Sequence, residues 1–317
     1  MAGVLPSKGR FGKRRGRDIL YRVVTWLSAI IIISITIGTI FSITIKSWPT
    51  IHQAGFSFLV SEAWNPVQGE YGALGSLYGT VVSTAIAMMI AVPMGLAIAF
   101  FLTELVPAPL GQIISIAIEL LAAVPSIIYG MWGLFVFAPF MAEHLQPVIK
   151  RHLGFLPLFE GPPMGIGMLT AGIILALMVL PFITAVIRDV FKMVPPVVKE
   201  AAAGMGATTL EMTSRVTLRY GISGIIGAVL LGLGRAMGET MAVTFVIGNR
   251  HDISLSLFAA GSSIASTLAN EFTEASDPMH LSALVELGLV LFAMTAIIQI
   301  LAQIWIKRTF KTRGYVP

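Results

Sequence analysis

Cysteine is absent from all 317 residues, which excludes disulfides, thiolate metal sites and cysteine nucleophiles. Charge is scarce as well. Asp, Glu, Lys and Arg make up 12% of the chain, against about 25% in a soluble domain. So little charge cannot clothe a water-facing surface, and the implied solvent is lipid. Catalytic signatures are missing too. No Gly-x-x-x-x-Gly-Lys-Ser/Thr occurs, since Gly12-Lys13 is followed by Arg14. Gly232-x-Gly234-x-x-x-Gly238 has the wrong spacing for a dinucleotide fingerprint. Paired carboxylates, a zincin helix and a nucleophile elbow are also lacking, so the chain reads as non-catalytic, with any ATP used by another subunit. His52, His144, His152, His251 and His280 are scattered without ligand spacing. They read as solvated loop residues, and no metal site is expected.

What the chain does have is apolar length. Hydrophobic residues reach 56% and the mean hydropathy is +0.86. A span needs roughly 20 apolar residues to cross hydrocarbon. Six stretches qualify, at Val23–Ile45, Leu74–Leu102, Gly111–Met141, Met164–Ile187, Ser223–Gly248 and Leu281–Ile306. The expected fold is an all-α integral membrane protein of six transmembrane helices. Residues 1–22 form a basic tail, of which 1–19 are predicted to lack structure before the membrane begins, and 23–45 the first span. That span is too long for a cleaved signal and reads as a retained signal anchor. An outer loop occupies 46–73, a five-span core 74–306 with an inner loop at 188–222, and a second basic tail 307–317.

Lys and Arg concentrate in the two tails and the 188–222 loop, whereas the outer loops hold only Lys46, Lys150, Arg151 and Arg250. This asymmetry predicts both termini on the cytoplasmic side. The net charge of +5 and pI near 9.6 are then topogenic, and no basic-aromatic module speaks for nucleic acid.

One charge breaks the pattern. Arg235 lies near the middle of the fifth predicted span, with Glu239 four residues on. Ionisable side chains at bilayer depth cost at least a few kcal/mol and are usually kept for partners, solvated paths or ion routes. Gly234 and Gly238 make a small-xxx-small face that would let another helix approach. Pro93, Pro125 and Pro181 fall inside predicted spans, where each frees a carbonyl that neighbours must satisfy. Ser126, Tyr129 and Thr240 are candidate hydroxyls beside the path. Glu119 and Glu286 lie nearer span ends and are expected to pair locally or reach an interface.

The inner loop carries Lys199-Glu200-Ala201-Ala202-Ala203-Gly204-Met205-Gly206, a short helix that glycine should stop. Glu200, Ala201, Ala202, Gly206, Val216 and Leu218 match the spacing of the "EAA" loop, which resembles that of bacterial binding-protein-dependent ABC importer permeases. Arg219 stands where that family usually has proline. Three further stretches sharpen the resemblance: Glu62–Leu74, Val124–Leu134 and, most specifically, Gly234-Arg-Ala-Met-Gly-Glu-Thr-Met-Ala-Val-Thr-Phe-Val-Ile-Gly-Asn249. Over residues 20–310 the chain is similar to the PstC-like permeases of bacterial phosphate-specific importers.

The resemblance implies a type I importer permease in the bacterial inner membrane. It also implies a PstA-like sister permease, a PstB-like ATPase dimer that holds the ATP and Mg, and a PstS-like phosphate-binding protein outside. No cofactor is expected on this chain. Glu200, Ala201, Ala202 and Gly206 would seat the coupling helix on the ATPase. Arg235 would attract the oxyanion, and Glu239 would accept the proton that phosphate retains and sulfate lacks. Sulfate or molybdate as substrate, or a secondary transporter, are the competing readings.

Overall fold

The structure, a computed structural model, describes residues 9–311, with side chains over 18–306 and at Arg308. The predicted tails lie largely outside the described side chains. The backbone is already helical from Gly9, running unbroken to Ala54, so the first helix takes in much of what composition alone assigns to an unstructured tail.

Among the described residues, six helices are long and apolar enough to cross a membrane: Asp18–Ala54, Leu74–Leu105, Ser126–Leu153, Met168–Lys192, Thr209–Met237 and Pro278–Ile306. Two differ materially from the sequence expectation. The predicted third span, Gly111–Met141, is two helices, Ala108–Ala122 and Ser126–Leu153. Val124-Pro125 divides them, because proline biases its predecessor away from helix and cannot donate to the turn before it. Pro125 is therefore a boundary rather than an interior kink. The predicted fifth span, Ser223–Gly248, instead begins at Thr209 and ends at Met237. Together with the fourth helix reaching Lys192, this shortens the inner connection to residues 193–208.

The fourth span is the centre of the bundle. Two-thirds of its apolar window is buried (67%), against 0% for the first span. Its neighbours approach through glycines. A Cβ at Gly172 would sit 2.6 Å from Ile86 of the second span, and one at Gly232 of the fifth span 2.6 Å from Ile183. On the fifth span the buried residues Gly221, Ile225, Ala228, Gly232 and Ala236 make one stripe at helical spacing against Val179, Ile183 and Val190. Gly234 turns instead toward Gln299 of the sixth span, 2.9 Å from a would-be Cβ, and Gly238 meets only its own helix. Of the expected Gly234/Gly238 face, Gly234 does meet another helix while Gly238 does not, and the closest glycine contact on this span is at Gly232.

The first span lies outside this core. It is joined to the sixth by Thr50, whose amide (3.2 Å) and hydroxyl (2.8 Å) both meet the Ser282 hydroxyl. In the third span, π-helical turns at Gly133–Phe137 and Met141–Leu145 each fall just before a proline, Pro139 and Pro147. They widen the helix where its hydrogen-bond ladder is interrupted.

Gly232→Val should lower stability by about 1–3 kcal/mol through overpacking against Ile183. Gly227, with open space where its Cβ would go, should accept alanine with no loss and up to about 1 kcal/mol of gain. Thermal unfolding in detergent measures both.

Candidate functional site

The fifth span opens on a capping box. The Thr208 amide donates to Glu211 Oε2 at 3.0 Å, and the Glu211 amide donates to Thr208 Oγ1 at 3.3 Å. Thr-x-x-Glu is legible in the sequence, but the loop reading passed over it. Arg219 lies inside this continuous helix, so no turn follows the loop at that point.

The helix then ends at Met237, with Gly238 as its cap. Arg235 occupies the last turn, its guanidinium 5.4 Å from the centre of the Phe182 ring. Phe182 stands at the middle of Met168–Lys192. Arg235 is therefore at mid-depth, as its place in the sequence suggests, but at the end of a broken helix rather than within a continuous one. A cation at a helix C-terminus is favoured by the exposed carbonyls. Beyond the break a single turn, Met241–Thr244, carries the chain outward until the Gly167 amide donates to the Val246 carbonyl at 2.9 Å. Irregular backbone at this depth is tolerated only inside protein. Ala242, Val243, Val246 and Ile247 supply that cover, each 0–2% exposed.

The break parts the two charges. Arg235 and Glu239 form no ion pair among the described residues, and Arg235 itself is exposed. Glu239 Oε1 accepts from the Ala242 amide at 3.3 Å, capping the short helix; Oε2 has no hydrogen bond among the described residues. The Thr240 hydroxyl donates to the Gly238 carbonyl at 3.3 Å, and the Thr240 carbonyl accepts the Thr244 hydroxyl at 2.7 Å.

Glycine brings the other candidates close. A Cβ at Gly130 would lie 2.7 Å from Phe245 and 3.0 Å from the Met241 carbonyl, so the start of the third span seats directly on the Met241 turn. Tyr129 immediately precedes Gly130 on that helix. Its hydroxyl donates to the Leu121 carbonyl at 2.9 Å, stapling the break at Pro125. Ser126, at the first turn of the same helix, makes no hydrogen bond among the described residues.

At the other end of the bundle, Pro196–Gly204 forms the short helix. Gly204 remains helical; the stop is Gly206, at φ +87°. The Gly206 amide donates to the Ala203 carbonyl at 2.9 Å and the Ala207 amide to the Ala202 carbonyl at 3.1 Å. This paired closure requires a left-handed residue after the cap. Ala202 is buried at 3%, while Glu200, Ala201 and Gly206 are exposed. Lys199, which the motif does not include, pairs with the Glu104 carboxylate at the end of the second span.

Glu119 pairs with Arg188 at 2.9 Å, as expected for local pairing. Glu286 does not: it is 6% exposed and its Oε2 has no partner. The histidine reading also needs correction. His251 and His280 converge on Glu271, at 3.4 and 3.0 Å, and Trp64 Nε1 donates to the same carboxylate at 2.8 Å. Trp64 stacks on His251 and Tyr71 on His280. The cluster ties the loop before the second span to the loop after the fifth and the start of the sixth. Its members are far apart in sequence, so spacing gave no signal.

The family described as Binding-protein-dependent transport system inner membrane component matches residues 91–311. This defines the class as the membrane component of an importer. The phosphate transport system permease protein PstC of Mesorhizobium japonicum is 52% identical, covering 92% of this chain and 90% of that one. The PstC of Haemophilus influenzae is 50% identical over 94% and 95%. The probable PstC of Methanocaldococcus jannaschii is 36% identical over 82% and 84%. The chain belongs to the PstC family of permease proteins. Among solved structures, the inward-facing MetNI methionine ABC transporter aligns with a TM-score of 0.52 at 17% identity, covering 79% of this chain and 96% of that one. That likeness supports the type I permease fold.

Burial pushes the Glu271 carboxyl up, but hydrogen bonds from His251, Trp64 and His280, with the His251 charge, hold it below its ordinary value of 4.5. A depressed carboxyl contributes stability above its unfolded pKa and loses it as pH falls through the folded one. Stability should therefore decline below about pH 4.5, and Glu271→Gln should flatten that acid limb in thermal melts.

Proposed function

We propose that this chain is the permease subunit of an ATP-driven phosphate importer, with Arg235 and Glu239 lining the anion path. Identity to PstC proteins over nearly the whole chain supports the substrate class. The observation that carries the residue assignment is the broken fifth span, which holds a guanidinium at mid-depth with no acidic partner among the described residues.

Phosphate carries one to two negative charges, and a guanidinium presents donors in a fork that matches its oxygens. Phosphate near neutral pH also keeps at least one P–OH. Glu239 spends one oxygen on the Ala242 amide, which fixes its orientation and leaves the other to accept that proton. Sulfate has no proton to give and meets only repulsion, so the carboxylate discriminates against it. Ser126 and Thr240 add hydroxyls at the same level, while Tyr129 chiefly holds the entry to the third span.

On this reading Pro196–Gly204 is the coupling helix on the ATPase side, and both termini are cytoplasmic in the inner membrane. ATP and Mg belong to a PstB-like ATPase pair, and this chain does no catalysis. A PstA-like permease completes the pathway, and a PstS-like protein delivers phosphate outside. Closure of the ATPases would press on the coupling helix and reorient the spans. Gly206 gives that helix its abrupt end, and Glu200 and Ala201 face outward for the partner.

In complexes reconstituted in vesicles, Arg235→Lys should lower phosphate uptake about 10- to 100-fold, the loss expected for a charged hydrogen-bonding contact. Glu239→Gln should keep the cap yet narrow the preference for phosphate over sulfate; unchanged uptake and unchanged discrimination would refute the carboxylate's role. Wild-type complex that takes up sulfate or molybdate in preference would reassign the substrate. Gly206→Asp should abolish uptake and weaken co-purification of the ATPase, and full uptake by this variant would refute the coupling assignment.

A further inference from the structure

A second polar site lies toward the Lys192 end of the fourth span, its Arg188 about 9 Å along that helix from Phe182. Where the second span ends and the fourth nears the coupling helix, Arg188, Lys192, Lys199 and Ser115 line a cavity of about 570 Å³. Its wall also includes the apolar side chains of Leu102, Val106 and Ile116.

The polar groups are donors with capacity to spare. Arg188 is 6% exposed. Its Nε and Nη2 are held by Asp189 and Glu119 at 2.8–3.0 Å, which leaves Nη1 without a hydrogen bond among the described residues. Lys199 uses one of its three donors on Glu104. Lys192, at the helix end, is exposed and makes no hydrogen bond among the described residues. Ser115 is 8% exposed, and its hydroxyl too has no partner among them. The one carboxylate in the wall, Glu119, already accepts from Arg188. Counted with their partners Asp189, Glu119 and Glu104, the three cations are balanced by three carboxylates; what stays open toward the cavity is the Lys192 ammonium, Arg188 Nη1, the spare donors of Lys199 and the Ser115 hydroxyl.

We propose that this cavity binds a phosphate group, taken from the headgroup of an anionic phospholipid. Acceptor-only, multiply oxygenated anions match guanidinium and ammonium donors. Basic pockets between spans on the cytoplasmic side are suited to such headgroups. The apolar wall favours lipid over free phosphate, because it offers contact to acyl carbons that an inorganic ion lacks. The neighbouring helix Ala108–Ala122 is too short to span, and Ile113 and Leu120 on it are each 66% exposed, as expected of a segment lying against lipid. The proposal rests on the reading that the coupling-helix side faces the cytosol.

The test is native mass spectrometry of the intact complex mixed with phosphatidylglycerol, with phosphatidylcholine and inorganic phosphate as separate arms. Wild type should retain phosphatidylglycerol over phosphatidylcholine. Lys192→Ser should weaken that retention about fivefold, the worth of one basic residue near an anionic headgroup, Ser115→Ala should weaken it further, and Lys192→Arg should restore it. Displacement of phosphatidylglycerol by millimolar inorganic phosphate would support the phosphate site and assign free phosphate as its source. Equal retention of the two lipids, or a Lys192→Ser variant that binds like wild type, would overturn the proposal. Lys192 is exposed, so its loss should not disturb the fold, and unchanged thermal unfolding checks this. Uptake assays on the same preparations keep the two readings apart. A complex that imports no phosphate but retains the lipid refutes the proposed function alone.

Discussion

A backbone amide or carbonyl at bilayer depth has no water to bond, and each one left unpaired costs several kcal/mol. The architecture depends on how this chain meets that constraint at two interruptions. At Pro125 the Leu121 carbonyl is taken by the Val124 amide and the Tyr129 hydroxyl. At Gly238 the chain turns into Met241–Thr244, whose Ala242 amide is met by Glu239, and the Val246 carbonyl just beyond it is met by the Gly167 amide. The two interruptions lie against each other, because Gly130 lets the third span seat on the Met241 turn.

This arrangement also explains why charge can persist at mid-depth. A continuous fifth helix would place Arg235 and Glu239 one turn apart, within reach of an ion pair. Termination at Gly238 parts them. Arg235 keeps the favourable end of a helix and an aromatic face at Phe182, and Glu239 is turned to the next helix start. The outer cluster around Glu271 steadies the same region from above, since His251 follows the broken span and its backbone packs on Gly75. At the opposite end, Arg188–Glu119 joins the fourth span to Ala108–Ala122, and Lys199–Glu104 joins Pro196–Gly204 to the end of the second span.

Much of this was legible in the chain. Six apolar runs predicted six spans, because the length needed to cross hydrocarbon is set by the membrane and not by packing. Gly206 was legible as a helix stop, since only a residue at ease with positive φ closes that cap. Arg235 stood out because a cation in an apolar run costs several kcal/mol unless a partner or a path receives it. Apolar length was nevertheless a poor guide to where helices break. Val124-Pro125 and Gly238-Glu239 sit inside runs whose hydropathy continues past them, and both were read as interior positions. The Thr208/Glu211 capping box was present in the letters and went unread.

By itself, the sequence determined the solvent, the number of spans and the family, since hydropathy and motif spacing are local and add along the chain. Tertiary structure decided which residues meet. His251, His280, Trp64 and Glu271 come from distant segments, and no spacing rule relates them. The exchange of Gly238 for Gly232 as the close-packing glycine depended on where the fourth span lies. The separation of Arg235 from Glu239 has the same origin. Whether a helix continues past glycine is settled by the partners that await its freed backbone groups, and those partners exist only once the bundle has closed.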